Sequence, residues 1–373
     1  MSGDTNLELR STVGADGTLR LTLEESPVPQ PGPDEVVIRV GAAPINPSDL
    51  GVLLAAADPA SLAADATGTT GTISPSVLGM FAGRFDQPTP VGNEGAGTVV
   101  ATGSAADAAA LEGKVVAVIA GGMYSRYRTV RAADCLVMAD GTTAEQAASA
   151  FVNPLTVLGM IETMRREGHT AIVHTVGASN LGHMLRRACA IDGVPLVEIV
   201  RRPEHVATLR DLGAEHVCDS SADSFRDDLD AALTATGATI AFDAIGGGEM
   251  VDELLASMER AASAGTAGYS RYGSTTHKQV YVYGGLDRGP TTLRRTYGMA
   301  WSVGGWLMPN FLAAVGHDRA EELRRRVADE ITTTFASDYS STISLQEAIE
   351  PDTVRRYARM ATGDKFLITP DGS

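Results

Sequence analysis

The chain is poor in cysteine, in basic residues and in long apolar stretches, and each deficit excludes a class of protein. Its three cysteines, Cys135, Cys189 and Cys218, are widely spaced and form neither a C-x-x-C pair nor a disulfide framework. No apolar run reaches the roughly 18 residues that a membrane-spanning helix needs. The N-terminal segment MSGDTNLELR is polar and lacks a secretory-signal pattern. We therefore expect a cytoplasmic protein with no membrane partner.

The shortage of basic residues also bears on the partners of the chain. Lysine and arginine number 30 against 46 acidic residues, which gives a formal net charge of −16. Nucleic acids and anionic lipid surfaces are bound by clustered positive charge, so we expect no nucleic-acid partner. Against this acidic background the adjacent pair Arg201 and Arg202 is conspicuous.

The N-terminal part of the chain is predicted to be rich in β-strands. Short alternating or apolar runs at 18–23, 35–40, 97–101 and 114–119 are separated by turn residues, a pattern typical of a barrel-like β domain. Between Ala55 and Thr72 the composition shifts to Ala, Thr, Gly, Ser and Asp. That composition predicts a flexible surface insertion with about one helical turn.

After about residue 140, strand and helix patterns alternate, which indicates a parallel sheet with helices on both faces. Short β patterns return after Phe335 and end at 366–369. The sequence therefore predicts an α/β protein in which residues 1–150 and 336–373 form one domain and residues 151–335 form another.

The segment from Thr170 to Val217 has the order of a dinucleotide-binding β-α-β unit. Gly177, Ser179 and Gly182 occupy the three glycine positions of the G-x-G-x-x-G fingerprint. Ser179 replaces the glycine that approaches the pyrophosphate, and its hydroxyl can donate to phosphate. The backbone N–H groups of the helix N-terminus, near Asn180, Leu181 and Gly182, are expected to face the anion.

Two arginines follow the second strand of this unit. Arg201 lies 24 residues after Gly177, close to the position of the acid that binds the ribose 2′-hydroxyl of NAD. Arg201 and Arg202 instead suit a 2′-phosphate, which guanidinium groups bind through charge-assisted hydrogen bonds. The cofactor predicted from this pattern is NADPH. The alternative is that both arginines are surface residues before the helix that begins near Pro203.

Several further segments fall in the order found in one known family. They are Ala43–Asp49 (APINPSD), Val91–Gly97 (VGNEGAG), Asn153–Thr156 (NPLT) and Asp243–Gly247 (DAIGG). Together with the glycine turn, these segments resemble the medium-chain dehydrogenase/reductase superfamily. The resemblance implies a GroES-like β-barrel catalytic domain and a Rossmann doubly wound parallel sheet.

The resemblance also bears on metal content. Zinc-containing members place Cys, His and Cys or an acid at positions that here look like Asn46, Asn93 and Asn153. Amides are poor Zn²⁺ ligands beside thiolate or imidazole. We therefore expect no metal, and the chain resembles the zinc-free branch of zeta-crystallin-type quinone oxidoreductases and trans-2-enoyl thioester reductases.

The resemblance implies an NADPH-dependent oxidoreductase that transfers hydride to a quinone or an α,β-unsaturated carbonyl. A trans-2-enoyl thioester reductase is one alternative, although those enzymes use a tyrosine soon after the N-P-S-D loop and none lies between Asp49 and Tyr124. Tyr127, Tyr269 and Tyr272 are candidates to replace it. A non-catalytic, NADPH-binding redox sensor is the other alternative.

The expected site residues fall into three groups, and a homodimer is expected from the family. The catalytic candidates are Asn46 as a donor or nicotinamide-positioning group and Asp49 as an orienting group. The alternatives are that Asn46 simply orders its own loop before Pro47 and that Asp49 is the N-cap of the helical turn that follows. The cofactor candidates are Asn153, Thr156, Gly177, Ser179, Asn180, Leu181, Gly182, Arg201, Arg202, Ile245 and Lys365. The substrate-pocket candidates are Met80, Phe81, Phe85 and Trp306.

Overall fold

The computed structural model describes residues 5–264 and 270–372. The chain divides into two compact units, one formed by Met1–Val152 with Arg324–Ser373 and the other by Asn153–Leu323. The second boundary lies earlier than the expected residue 336. Both boundaries fall inside continuous helices, Val152–Arg166 and His317–Glu330. A helix that crosses a boundary has no break in composition, so sequence patterns do not mark the exact crossing.

The first segment of unit one is mainly β-structure. Its strands are β1 (Thr5–Val13), β2 (Thr18–Pro27), β3 (Glu35–Pro44), β4 (Ala63–Ala64), β5 (Gly68–Thr72), β6 (Thr89–Pro90), β7 (Glu94–Thr102), β8 (Val115–Ile119), β9 (Tyr127–Arg131) and β10 (Leu136–Val137). Its helices are α1 (Leu50–Leu53), α2 (Pro75–Leu78), α3 (Ala106–Ala109) and α4 (Ala144–Ala147), with 3₁₀ turns at Pro59–Ser61, Gly79–Arg84 and Ala132–Asp134.

Unit two alternates helices and strands as predicted. Its helices are α5 (Val152–Arg166), α6 (Asn180–Asp192), α7 (Pro203–Asp211), α8 (Phe225–Thr236), α9 (Met250–Ser263), α10 (Met308–Val315) and α11 (His317–Glu330). Its strands are β11 (Ile172–Thr175), β12 (Leu196–Val200), β13 (His216–Asp219), β14 (Ile240–Asp243), β15 (Gly246–Gly248), β16 (Lys278–Val282), β17 (Asp287–Thr291) and β18 (Trp301–Gly305). The chain then returns to unit one through β19 (Ser341–Ile343), α12 (Leu345–Ala348), α13 (Pro351–Ala358) and β20 (Phe366–Ile368).

The strands of unit one form two sheets, in the orders β4-β5-β2-β1-β6 and β10-β8-β7-β3-β20-β19, with β9 also paired to β3. The returning strand β20 pairs antiparallel with β3. The C-terminal segment therefore completes the β domain, as the sequence patterns predicted. Apolar side chains from strands of both sheets, including Leu9, Leu21, Ile38 and Val116, form one buried cluster.

The segment 55–72 is not the flexible insertion that its composition suggested. Its second half forms β5, which pairs with β2 and widens the first sheet. Thr69 is buried on this strand. A β-carbon on Gly68 would lie 2.1 Å from the carbonyl oxygen of Leu21. The small residues therefore permit close strand approach, which composition alone cannot distinguish from flexibility.

The main sheet of unit two is parallel and has the order β13-β12-β11-β14-β16-β18. Its inner strands are apolar and buried, as expected for a sheet that is covered on both faces. The order reverses direction at β11, because β12 and β13 lie on one side of it and the later strands on the other. Ligands of open parallel sheets bind beside such a switch point, at the carboxyl ends of the strands. Among the described residues, no helix is long and apolar enough to cross a membrane.

Candidate functional site

Asp49 joins two loops of unit one. Its side chain is buried, and its carboxylate oxygens accept hydrogen bonds from the backbone N–H groups of Asn46 (2.8 Å) and Asn93 (2.7 Å). Burial raises the pKa of Asp49 to about 7, although the two N–H donors oppose the shift. The residue stands at the N-cap position of α1, but its side chain makes no capping hydrogen bond to that helix. Both carboxylate oxygens therefore serve to fix the loops that carry the two asparagines.

Glu94 orients the side chain of Asn46. The amide nitrogen Nδ2 of Asn46 donates to Glu94 Oε1 at 2.8 Å, and both residues are buried. The other oxygen of Glu94 accepts from the backbone N–H groups of Phe151 and Val152, each at 2.9 Å. Burial raises the pKa of Glu94, and the charge of Lys365 acts in the opposite direction. Asn46 is thus held in a defined orientation with its second amide N–H directed away from Glu94.

Lys365 lies in the same part of unit one. Its Nζ donates to Ser149 Oγ at 3.0 Å and lies 5.5 Å from the centre of the Tyr339 ring. Burial lowers the pKa of Lys365 to about 8, while Glu94 and Asp49 act to raise it. The structure therefore brings Asn46, Asp49 and Lys365 together around Glu94. The contacts shown for the ammonium group of Lys365 are with Ser149 and Tyr339, beside these residues.

The glycine turn of unit two has the tight geometry that the fingerprint requires. A β-carbon on Gly182 would lie 2.0 Å from the carbonyl oxygen of Gly177, and one on Gly177 would lie 2.8 Å from the β-carbon of Glu198. Ser179 is the N-cap of α6, and its Oγ accepts from the N–H of Gly182 at 3.0 Å. An accepting hydroxyl keeps its own hydrogen for donation. Ser179 therefore caps the helix and can still donate to an anion.

The end of β12 brings the two arginines to the same edge of the sheet as the turn. Thr175 at the end of β11 pairs with Ile199, so residues 176–179 and Arg201 leave the sheet side by side. Both arginines are exposed. Arg202 lies 3.7 Å from Glu204. Arg201 makes no ion pair or hydrogen bond that is shown within the described parts of the chain.

A buried carboxyl group lies directly beneath the glycine turn. Glu198 is almost fully buried in β12, and its Oε1 lies 3.9 Å from Arg186 Nε, beyond hydrogen-bond distance. Burial raises the pKa of Glu198 to about 8, and the charge of Arg186 opposes the shift. None of the sequence motifs described above includes this residue in a functional role. A charged residue inside an apolar strand, LVEIV, is the signal that could have identified it.

The turn after β14 reaches the same edge. Asp243 accepts hydrogen bonds from Thr175 Oγ1 (2.8 Å) and from the N–H groups of Ile245 (3.0 Å) and Gly246 (2.8 Å). Because these hydrogen bonds join Thr175 on β11 to the backbone of the turn, the buried Asp243 fixes this turn beside the end of β11. Ile245 is thereby held at the same sheet edge as the glycine turn.

Three other candidates lie on or against α5 in unit two. Asn153 and Thr156 fall in the first turns of this helix. Trp306 donates from Nε1 to Thr163 Oγ1 at 3.1 Å and stacks on Phe311 at 5.8 Å. A β-carbon on Gly159 would lie 2.8 Å from the Trp306 ring. Trp306 therefore packs α5 and α10 within unit two, and its role in the substrate pocket stays a prediction.

The apolar residues of the segment around the second 3₁₀ turn differ in exposure. Phe81 and Phe85 are partly buried and pack against the apolar core of unit one. Met80 is 80% exposed. Arg84 donates to the carbonyl oxygen of Val52 at 2.8 Å and lies over the Phe81 ring. This segment is therefore packed against α1, which follows the loop of Asn46 and Asp49.

The tyrosine candidates have different outcomes. Tyr127 is buried and Tyr272 is 65% exposed, while Tyr269 lies outside the described residues. Tyr339, which the sequence analysis did not consider, lies beside Ser149 and Lys365. It follows Phe335 by four residues in a segment with little pattern, so only the three-dimensional contacts identify it. Within 5–264 and 270–372, no group of three or more His, Cys, Asp or Glu side chains is arranged to hold a metal ion.

The chain is similar to known oxidoreductases. Residues 32–152 match the family described as alcohol dehydrogenase GroES-like domain. A synaptic vesicle membrane protein VAT-1 homolog of Rattus norvegicus is 26% identical over 68% of this chain and 58% of its own length. A mitochondrial enoyl-[acyl-carrier-protein] reductase of Xenopus tropicalis is 27% identical over 73% of this chain and 68% of its own. The match thus spans less than two thirds of the VAT-1 homolog.

Solved structures share the complete fold. The crystal structure of a "putative NADPH:quinone reductase" from Mesorhizobium loti has a TM-score of 0.72 to this chain and 25% identity, and the match covers 99% of this chain and 100% of that one. The similarity therefore extends over both units and includes the returning C-terminal segment.

Proposed function

We propose that the chain is a zinc-independent, NADPH-dependent reductase of quinones or α,β-unsaturated carbonyls, of the medium-chain dehydrogenase/reductase type that its matches indicate. One observation carries this proposal: the glycine turn of unit two and the arginines after β12 lie at one sheet edge, beside the switch point. The names of the Mesorhizobium loti and Xenopus tropicalis proteins, an NADPH:quinone reductase and an enoyl reductase, support it.

The residues of this edge fit a phosphorylated dinucleotide. Gly182 approaches the backbone of Gly177 so closely that no β-carbon fits there, which keeps the turn before α6 tight. The helix dipole of α6 and donors at its N-terminus favour a pyrophosphate. In this proposal Gly177, Ser179, Asn180, Leu181 and Gly182 hold the pyrophosphate, and Arg201 and Arg202 hold the 2′-phosphate. Ile245, Asn153 and Thr156 are proposed to contact the rest of the cofactor.

The chemistry is divided between the cofactor and the protein. Bound NADPH supplies a hydride, so the protein must orient the acceptor and stabilise the charge that develops on its oxygen. Asn46 is proposed to do this with the amide N–H that Glu94 leaves available. Asp49 acts through the backbone of Asn46, so its proposed role is positioning rather than contact with the acceptor.

The zinc-independent part of the proposal rests on side-chain chemistry. Asn46 and Asn93 are neutral amides, and their loops are fixed by hydrogen bonds to Asp49 and, for Asn93, to Ser48 Oγ at 3.1 Å. Amide groups compete poorly for Zn²⁺ with the thiolates and imidazoles of zinc enzymes. Metal analysis of the purified protein should find no stoichiometric zinc. One zinc per chain would contradict this part of the proposal.

The pocket and the assembly are also proposals. Met80 is proposed to contact the acceptor because its side chain is exposed beside packed Phe81 and Phe85. A homodimer is proposed to form through β18, which ends the parallel sheet and carries half-exposed residues. An unpaired sheet edge is a natural template for pairing.

A trans-2-enoyl thioester reductase is the second candidate. The relative from Xenopus tropicalis supports it. Arg84 adds a structural reason, because its guanidinium donates to the backbone carbonyl of Val52 and makes no ion pair with a carboxylate that is shown among the described residues. A guanidinium group without a carboxylate partner suits a negatively charged substrate. If Arg84 serves this purpose, Arg84→Ala should raise the KM for a crotonyl thioester more than the KM for a neutral 2-alkenal.

Steady-state oxidation of NADPH with 1,2-naphthoquinone, 2-alkenals and a crotonyl thioester tests the proposal. We expect acceptor-dependent oxidation of NADPH with at least one quinone or enone, and a marked preference for NADPH over NADH. Tight NADPH binding without turnover of any acceptor would instead support a non-catalytic, redox-sensing protein. Turnover restricted to the thioester would favour the second candidate.

A further inference from the structure

Unit one contains a Tyr-Ser-Lys chain that the proposed chemistry above does not use. Ser149 Oγ lies 2.9 Å from the hydroxyl of Tyr339 and 3.0 Å from Nζ of Lys365. An ammonium group can only donate, so the serine oxygen accepts from Lys365. The hydrogen of Ser149 is then available for Tyr339. Ser337 also hydrogen-bonds to this phenol and, like Ser149, acts to lower its pKa, as a donor to the phenol oxygen does. With both serines donating, the phenolic hydrogen of Tyr339 is left for another acceptor. The polarity of the chain therefore permits proton movement from lysine to tyrosine.

The Tyr-Ser-Lys chain lies beside Glu94, the residue that orients Asn46. The carboxyl group of Glu94 acts electrostatically on both Lys365 and Tyr339, and it accepts the amide N–H of Asn46. Tyr339 is half-buried rather than enclosed in the core. A proton leaving Tyr339 would thus be released next to the residue that is proposed to stabilise the acceptor oxygen.

Other carboxyl groups and phenols near the cluster have structural partners, while the exposed Glu145 acts on Tyr339 only through its charge, which raises the pKa of that phenol. Both oxygens of Asp49 accept backbone N–H groups, and both oxygens of Glu94 are likewise occupied. The hydroxyl of Tyr124 donates to the carbonyl of Pro44, and that of Tyr357 donates to the carbonyl of Ala348. Tyr339 differs from both tyrosines because its partner is another hydroxyl, which can pass on a proton.

The pKa shifts of Lys365 and Tyr339 suit the donation of a proton through the Tyr-Ser-Lys chain. Burial lowers the pKa of Lys365 to about 8, so its ammonium group can release a proton near neutral pH. Burial raises the pKa of Tyr339, so the phenol remains protonated until the acceptor withdraws its proton. A donor that is recharged by a group titrating near the working pH is an effective general acid.

We propose that Tyr339, Ser149 and Lys365 form the proton-delivery chain of the reductase, with Tyr339 as the catalytic acid that contacts the acceptor. The inference rests on the proposed function. In enone reduction the two electrons come with the hydride, which leaves a negative charge shared by the acceptor oxygen and α-carbon. The O–H bond of Tyr339 breaks and a C–H bond forms at the α-carbon. Ser149 then reprotonates Tyr339, Lys365 reprotonates Ser149, and water reprotonates Lys365.

The pH dependence of kcat in three variants tests the chain. For the wild type, kcat should fall as the pH rises through about 8. Tyr339→Phe removes the acid but keeps the ring, and should lower kcat by roughly 10²- to 10⁴-fold. Lys365→Arg keeps the positive charge but cannot release a proton in this range. It should lower kcat and abolish the decline near pH 8. Tyr357→Phe, which alters a tyrosine that is not part of the Tyr-Ser-Lys chain, should keep the wild-type pH profile.

A measurement without catalysis tests the same chain. The Nζ of Lys365 is labelled by reductive ¹³C-methylation and assigned with Lys365→Arg, and its pKa is then read by NMR. A midpoint near 8 is expected in the apoprotein. Glu94→Gln should lower that midpoint, because the Glu94 charge supports the ammonium form. A midpoint near the ordinary lysine value of roughly 10.4 would contradict the proposal.

The outcomes separate this inference from the proposed function. A wild type that reduces no acceptor overturns both. If the wild type is active, two results would overturn the proton-delivery chain alone. One is a Tyr339→Phe variant that keeps the wild-type kcat. The other is a Lys365→Arg variant that keeps the wild-type rate and pH profile. Loss of kcat in both variants, with an unchanged dissociation constant for NADPH, supports it.

Discussion

Arg201 and Arg202 are the residues on which the choice of cofactor depends. Both are exposed at the carboxyl end of β12 in a chain with a net charge of −16. If they bind the 2′-phosphate, replacing both with alanine removes charge-assisted hydrogen bonds worth roughly 1.5–3 kcal/mol each. The dissociation constant for NADPH should rise by at least about 100-fold, and that for NADH should change little.

Fluorescence titration with both nucleotides measures this effect. Arg166→Ala, an exposed arginine at the end of α5, is the matched control and should leave both dissociation constants unchanged. Equal weakening of NADPH and NADH by the double variant would count against a 2′-phosphate role.

Glu198 gives a prediction for the pH dependence of stability. Burial raises the pKa of Glu198 from 4.5 to about 8 in the folded protein. Its contribution to the free energy of unfolding is therefore fully present below pH 4.5, where the carboxyl group is protonated in both states, and is lost as the pH rises through 8. Glu198→Gln keeps the shape of the side chain without this titration. The free energy of unfolding of the variant, relative to the wild type, should therefore increase between pH 6 and pH 9. Denaturant unfolding at several pH values measures it, and a constant difference would show that Glu198 does not titrate in this range.

At the scale of elements, the turn between β11 and α6 depends on the absence of a side chain at Gly182. A β-carbon there would meet the carbonyl oxygen of Gly177 at 2.0 Å. Gly182→Ala should therefore destabilise the protein by roughly 1–3 kcal/mol, and it should weaken NADPH binding because the turn must open. Gly285→Ala is the control, since a β-carbon at Gly285 would have no neighbour within 4 Å. Equal effects of both substitutions on stability and on NADPH binding would contradict this account of the turn.

The elements that the sequence predicted best are those with a strict local pattern. The apolar strands of unit two and the glycine turn follow from periodicity and from the steric needs of Gly177 and Gly182. The strand β5 was missed because small residues that allow close packing resemble those of a flexible loop. Asn46, Asp49 and Lys365 were predicted as separate site candidates, but the contact of Lys365 with Ser149 was missed, because these two residues are 216 positions apart and meet only in the folded chain.

At the scale of the whole molecule, the edge strand β18 predicts self-association. Within residues 5–264 and 270–372, β18 pairs with β16 alone, so its other edge is proposed to pair with a second copy. Light scattering after size-exclusion chromatography should give twice the 38.8 kDa chain mass. Ser302→Pro is not a clean test, because Ser302 also bonds to Gln279 and His277. Gly305→Pro at the end of the strand should weaken the dimer, and a monomeric wild type would contradict the proposal.

The central claim is that hydride passes from NADPH to a conjugated acceptor. The most direct measurement uses NADPH deuterated at C4, in separate 4R and 4S forms, with a 2-alkenal or an enone and mass spectrometry of the product. The account predicts one deuterium at the β-carbon of the product from one of the two forms, and a proton from water at the α-carbon. Product without deuterium from either form, or no product despite tight NADPH binding, would contradict it.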